Sequence, residues 1–155
     1  MSAESKFKFC LGHYDDVVQA IEEKRLDPNV PKQGGNGSGK CRISDPTAML
    51  AIRNTMEVDF VDIPYGPVVN GYRETFHLER PQSWLRVVES TKRTFRGQIQ
   101  WDLVFLRYAE QKEIADIVEA LHISPALYHT ILNNVLSFAK GVATGLGLVR
   151  FNTKK

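Results

Sequence analysis

The chain has 155 residues, of which 43% are apolar and 25% are charged, and its formal net charge is +2. That length suits one domain or two small units that share a core, and the composition is that of a globular protein. The net charge is too small for an obligate polyanion binder, which would be strongly basic. No apolar run approaches the roughly 20 residues of a membrane helix. We therefore expect a cytoplasmic protein that has no membrane contact and no secretory signal.

Charge is distributed unevenly along the chain. Residues 1–83 carry a net charge of −2, whereas residues 84–155 carry 10 basic and 6 acidic residues, a net charge of +4. Residues 140–155 hold four basic residues and no acidic one. This asymmetry places any nucleic-acid surface in the C-terminal half.

The first half of the chain contains two predicted helices. Apolar residues at helical spacing predict a helix over residues 13–26, with Asp15 or Asp16 as its N-cap. A loop rich in proline, glycine and serine follows. A Ser-Asp-Pro sequence that begins at Ser44 then marks the start of the second helix.

The loop between these helices contains a partial match to a phosphate-binding P-loop, over residues 34–41. Such a loop follows a buried strand, but Pro28 and Pro31 exclude a central strand here. Cys41 stands where a serine or threonine would ligate magnesium. We therefore interpret the loop as a connector and expect no nucleotide or other cofactor.

A β-hairpin and two further helices follow. Alternating apolar and polar residues predict the hairpin over residues 58–78, with its turn at the Pro-Tyr-Gly-Pro sequence of residues 64–67. Pro81 is expected to begin a helix that ends near Phe95, before Gly97. Residues 98–108 have the spacing of another helix.

Residues 111–139 have the pattern of a helix-turn-helix motif, although an ordinary helical hairpin shares most of it. Apolar residues at i, i+3, i+4 and i+7 predict the first helix over residues 112–121. His122 then occupies the turn position where glycine is usual, and Ile123 is expected to be the buried plug between the helices. A Ser-Pro pair that begins at Ser124 starts the second helix as N-cap and first helical residue.

The outward side of this second helix is small or polar, which suits an approach to base edges in a major groove. A lysine at the start of the motif is a candidate for a phosphate contact. The histidines lack metal-ligand spacing and no serine has the context of a nucleophile, so we expect neither a metal site nor an enzyme. The predicted DNA-binding residues are Lys112, Ser124, Ala126, His129, Thr130 and Asn133.

Six short motifs occur in order along most of the chain. They are SDPTA at 44–48, FVDIPYG at 60–66, RPQSWLRVVE at 80–89, IS at 123–124, LYH at 127–129 and GLGLV at 145–149. In this order they resemble the RinA/ArpU-like family of phage late-gene transcriptional regulators, whose C-terminal half is similar to region four of bacterial sigma factors. The resemblance implies DNA binding upstream of late, packaging and morphogenesis genes in a bacterial host.

The expected fold is therefore mainly α, with one β-hairpin and a C-terminal helix-turn-helix of the sigma region four type. We expect an N-terminal unit over residues 1–80 and a helical DNA-binding region over residues 81–155. The expected function is sequence-specific regulation of transcription on duplex DNA, with host RNA polymerase and a second copy of the chain as further candidate partners. Two alternatives stay open, namely a small terminase-type packaging subunit and a sigma-like protein-interaction module without direct DNA contact.

Overall fold

The computed structural model describes residues 1–26 and 55–150. The glycine-rich loop, Cys41 and the helix predicted from Ser44 lie outside the described residues. The elements in chain order are α1 (Ala3–Gly12), α2 (Tyr14–Leu26), β1 (Phe60–Val69), β2 (Tyr72–Glu79), α3 (Pro81–Phe95), α4 (Ile99–Val104), a π-helical turn (Phe105–Ala109), α5 (Ile114–Leu121) and α6 (Pro125–Gly145).

The predicted fold class of mainly α with one antiparallel β-hairpin is confirmed for these residues. None of the described helices has both the length and the apolar character that crossing a membrane requires.

Helix α1 was not among the predicted elements. The Ser2 hydroxyl caps it by accepting a hydrogen bond of 3.1 Å from the backbone N–H of Ser5. Phe7, Phe9, Cys10 and Leu11 are all buried, so α1 is covered on more than one side. Burial raises the pKa of the Cys10 thiol to about 12.

Helix α2 matches the predicted helix, but the predicted cap is wrong. Asp15 and Asp16 lie inside the first turn rather than before it. The backbone carbonyl of His13 accepts the first helical hydrogen bond, from the N–H of Val17 at 3.0 Å. Both aspartates are still favourable there, because the N-terminal end of a helix carries partial positive charge.

The hairpin is present, but its predicted turn at residues 64–67 is wrong. The strands reverse at Asn70 and Gly71, whose φ angles of 52° and 80° are both positive. That combination is typical of the type I′ turn, which Asn-Gly favours and which matches the twist of the strands. Gly66 instead lies within β1 with φ 72°, where the pairing is irregular after Tyr65. Its turn-like conformation belongs to a bulge.

Helix α3 begins at Pro81 and ends at Phe95 as predicted, and Gly97 follows it with φ 75°. The helix predicted over residues 98–108 is confirmed only in part. Its second half is a π-helical turn, in which the N–H of Glu110 donates to the carbonyl of Phe105 at 3.1 Å.

One hydrophobic core joins the helices to one face of the hairpin. The rings of Phe9 in α1 and Phe76 in β2 stack with their centroids 3.7 Å apart. Trp84 from α3 and Tyr128 from α6 are almost completely buried in this core. The α1 backbone also approaches the π-helical turn closely, since a Cβ added at Gly12 would lie 2.6 Å from the carbonyl oxygen of Tyr108.

Candidate nucleic-acid interface

The connection between α5 and α6 is short, and the residue that ends α5 has a left-handed backbone conformation. His122 has φ 53° and ψ 46°, and its N–H donates to the carbonyl of Glu119 at 3.2 Å. The N–H of Ile123 donates to the carbonyl of Val118 at 3.1 Å. These two bonds form a Schellman motif, whose left-handed residue is most often glycine because glycine has no Cβ to strain.

We expect His122→Gly to raise the free energy of unfolding by about 1 kcal/mol, because the substitution removes the strain of a left-handed histidine. Gly147, with φ 70°, makes the same pair of backbone bonds at the end of α6, so Gly147→His is the matched comparison and should destabilise. Urea unfolding of both variants measures the difference. Equal midpoints for His122→Gly and the parent protein would contradict the strained turn.

The start of α6 is capped as predicted. The Ser124 hydroxyl accepts a hydrogen bond of 3.1 Å from the N–H of Leu127, and Pro125 is the first helical residue. The Ser124 backbone is extended and its carbonyl accepts from the N–H of Tyr128 at 3.0 Å. This cap sets the register of every later residue around the α6 axis.

The spacing predicted that Lys112 begins α5, but the helix starts at Ile114. The Lys112 N–H donates to the carbonyl of Leu106 at 2.9 Å, and its own carbonyl accepts from Arg107 Nη1 at 2.9 Å. Its backbone is therefore bound to the π-helical turn, and its exposed side chain lies ahead of the helix.

Ile123 was expected to be a buried plug, and this prediction is wrong. The side chain is half-buried at the edge of the core, where it follows the left-handed residue. Ile117 from α5 and Tyr128 from α6, each 1% exposed, are among the residues of this pair that are buried. Ile123 lies in the short turn between the helices, so one side of its side chain faces solvent.

The first turns of α6 expose four of the predicted residues on one side, called here the reading face. They stand opposite the buried stripe of Tyr128, Ile131 and Val135. Ser124 lies at the N-terminal end of this face, and Lys112 lies apart from it, before α5. The reading face consists of Ala126, His129, Thr130 and Asn133, all of them exposed.

Two members of the reading face have partners within the chain. Thr130 Oγ1 donates to the carbonyl of Ala126 at 3.1 Å, so its oxygen still has lone pairs that can accept a hydrogen bond. The His129 ring lies edge-on to Tyr128, with centroids 5.1 Å apart. Asn133 keeps both an amide donor and a carbonyl acceptor for a ligand.

The segment that contains α5 and most of α6 is acidic, although the C-terminal half as a whole has a net positive charge. Residues 113–139 contain three acidic residues and no lysine or arginine. The three, Glu113, Asp116 and Glu119, are exposed along α5. A charge count restricted to these residues would have found this, and it means that any phosphate contacts must come from outside residues 113–139.

A cleft of about 610 Å³ lies between the α1–α2 junction, α3 and the π-helical turn. Two hydrogen-bonded pairs line it, His13 with Asp16 at 3.1 Å and Tyr14 with Glu89 at 2.6 Å. Burial and the Glu89 hydrogen bond raise the pKa of Tyr14 to about 12. These groups satisfy one another, so the helix pair is the stronger candidate site.

Within residues 1–26 and 55–150, no group of three or more His, Cys, Asp or Glu side chains is placed to hold a metal ion. Comparisons of the chain with known protein families, with curated proteins and with solved structures find no match.

Proposed function

We propose that the protein is a DNA-binding transcriptional regulator that contacts base edges with the N-terminal half of α6. The observation that carries the proposal is the reading face itself. It is a set of small and hydrogen-bonding side chains on the exposed side of a Ser-capped helix that follows a tight turn. An exposed asparagine such as Asn133 can bond an adenine through both its donor and its acceptor, and small residues let the helix enter the groove.

The proposed regulation is that of phage late genes, as the resemblance described above implies. In this proposal α5 and α6 act as a helix-turn-helix, and α6 is its recognition helix. Phosphate contacts position the protein on the duplex, whereas contacts from the reading face select the sequence.

Asn133→Ala is expected to lower the preference for cognate over random duplex by about 5- to 150-fold, the equivalent of 1–3 kcal/mol for one base contact. Thr130→Ala should act in the same direction. Lys112→Ala should instead weaken binding to both duplexes alike, as loss of a phosphate contact does. The cognate duplex is first enriched from a random pool with the parent protein, and both duplexes are then titrated across a salt series.

Asn134→Ala is the matched control, because one residue along the helix turns the side chain by about 100°. Asn134 is exposed but lies to the side of the reading face, so its loss should leave the preference unchanged. If Asn133→Ala and Thr130→Ala discriminate as well as the parent protein, then α6 is not the recognition helix.

One observation favours the protein-interaction module as a second candidate function. Glu113, Asp116 and Glu119 give α5 an acidic surface, and Leu127 at the start of α6 is 45% exposed. An acidic surface repels DNA and suits a basic protein partner, for which host RNA polymerase is the candidate. Capture of purified host polymerase that Asp116→Lys with Glu119→Lys abolishes, without any shift of duplex DNA, would support this function instead.

A further inference from the structure

The hairpin is a two-stranded sheet, and its two edges differ in how well they are protected. The β1 strand contains Pro64 and Pro67, which have no N–H to offer to a further strand. Helix α2 packs against β1, and Lys24 of that helix donates a hydrogen bond to the carbonyl of Phe60. Proline residues and a covering helix are devices that prevent an edge strand from pairing with another chain. The β1 edge is therefore protected.

The β2 edge has neither device. Its eight residues, Tyr72–Glu79, include no proline and no lysine, and the extra residues of the irregular pairing lie in β1. Within residues 1–26 and 55–150, β1 is the only strand beside β2, and no β2 backbone group bonds to any other described element. Because alternate backbone groups of a strand point away from its neighbour, β2 presents a row of unpaired N–H and C=O groups. Such a row can accept one more strand.

The two faces of β2 limit how another strand can pair with it. Phe76 and Leu78 are buried on the side of the helices, and the residues that alternate with them are exposed. Residues directly opposite each other in an antiparallel pair lie on the same face of the sheet. A shift by one residue would therefore turn the buried set towards solvent. The exposed face of β2 consists of Arg73, Thr75, His77 and Glu79.

We infer that β2 is the edge at which two copies of this chain pair into a four-stranded antiparallel sheet. A two-fold axis at Phe76 places Arg73 of one copy opposite Glu79 of the other, because each lies three residues from the axis. The symmetry forms this pair of opposite charges twice, and Thr75 then lies opposite His77. No like charges meet in this register.

Neighbouring registers that keep the same face are less favourable. An axis at Thr75 would place Arg73 opposite the basic ring of His77. An axis at Glu74 would place two carboxylates directly opposite each other, and like charges in that position are destabilising. The order of charges along β2 thus favours a second copy of the same strand, with its axis at Phe76.

Both charges of the inferred pair are available for it. Neither Arg73 nor Glu79 forms a salt bridge to a described residue. Arg73 Nε donates to the carbonyl of Gly66 at 3.0 Å, which fixes the side chain and leaves its Nη donors for a carboxylate. Tyr72, which is 81% exposed, would lie diagonally next to Leu78 of the second copy, on the same face of the sheet.

An alternative explanation is that the exposed face of β2 is only a solvated surface, as in any hairpin with one buried side. The two explanations differ in a measurable way. Arg73→Glu or Glu79→Arg alone would place like charges opposite each other at both pairs of a dimer. In a dimer of one Arg73→Glu copy and one Glu79→Arg copy, opposite charges meet again at both pairs. A solvated surface has no such dependence of one copy on the other.

The test measures the mass of the full chain by sedimentation velocity over a concentration series. The parent protein should change from 17.6 kDa to twice that mass as its concentration rises. Each single variant should raise the dissociation constant of the dimer about tenfold, since two pairs are lost and like charges oppose each other. An equimolar mixture of the two variants should dimerise as the parent protein does. This rescue cannot arise from a change in the fold of either variant, because the two substitutions are on different chains.

Arg96→Glu is the matched control, because it reverses an exposed charge outside the hairpin and should keep the parent dissociation constant. Circular dichroism establishes that each variant is folded. A parent protein that stays monomeric throughout the series overturns the inference. A dimer that neither variant weakens, or a mixture that fails to restore it, also overturns the inference. None of these results bears on the proposed function, since the duplex titrations described above measure DNA selection by a monomer or a dimer alike.

Discussion

Tyr128→Ala is expected to lower the free energy of unfolding by about 3–5 kcal/mol, the cost of deleting a buried aromatic side chain and leaving a cavity. Tyr128 is 1% exposed in the first turns of α6 and packs into the common core. Because it lies opposite the reading face, the same ring determines which side of α6 faces solvent. Urea or thermal unfolding followed by circular dichroism measures the loss.

Tyr128→Phe is the control for this substitution. It keeps the ring and removes only the hydroxyl, so a cost below about 1.5 kcal/mol is expected for this near-isosteric change. An alanine variant that unfolds at the parent midpoint would place the Tyr128 ring outside the core. The reading face would then be assigned to the wrong side of α6.

Gly12→Ala is expected to destabilise the protein by about 1–3 kcal/mol, the cost of overpacking a close contact. The new Cβ would lie 2.6 Å from the carbonyl oxygen of Tyr108, which belongs to the backbone of the π-helical turn and cannot rotate away. Either α1 or the π-helical turn must shift to accommodate it. Denaturant unfolding is again the measurement, with the midpoint compared at constant slope.

Gly141→Ala makes the same chemical change in a helix where a new Cβ has no neighbour within 4 Å. It should stabilise the protein by about 1 kcal/mol, because alanine is the better helix former. The two substitutions should therefore have opposite signs. A stabilising effect at Gly12 as well would contradict the contact between α1 and the π-helical turn.

The features that were predictable from sequence are those set by a few neighbouring residues. Pro81 and Gly97 bound α3, and Ser124 caps α6, because each acts on the backbone within one turn of itself. The hairpin turn is also a local feature, but the Pro-Tyr-Gly-Pro sequence predicts it at residues 64–67, whereas the strands reverse at Asn70 and Gly71. The pair with positive φ at both residues is the one that suits a two-residue turn.

The features that were missed depend on contacts distant in sequence. Phe7, Cys10 and Leu11 fall at i, i+3 and i+4, but Phe9 on another side of α1 is buried as well, because several elements cover this helix, so its apolar stripe is indistinct in the sequence. The π-helical turn lies where α1 approaches at Gly12, and no residue within the turn signals it.

The residues of the candidate site were predictable only as a pattern on one helix. Their common exposure follows from the Ser124 cap and the helical repeat, both of which are local. The packing of α3 against α6, in which the Phe95 and Phe138 rings meet, is not local. That packing joins segments about forty residues apart, so spacing along the chain cannot reveal it.

Because Cys10 is buried, the rate at which its thiol reacts measures how often the core opens. The side chain has no solvent-accessible surface, and a thiol whose pKa is about 12 holds almost no reactive thiolate at neutral pH. Alkylation at this position must therefore wait for α1 to leave the core, and its rate reports how often that happens. The Cys41→Ser variant keeps Cys10 as its single thiol. Its alkylation rate, measured without and with DNA, would give the rate of this opening in each case.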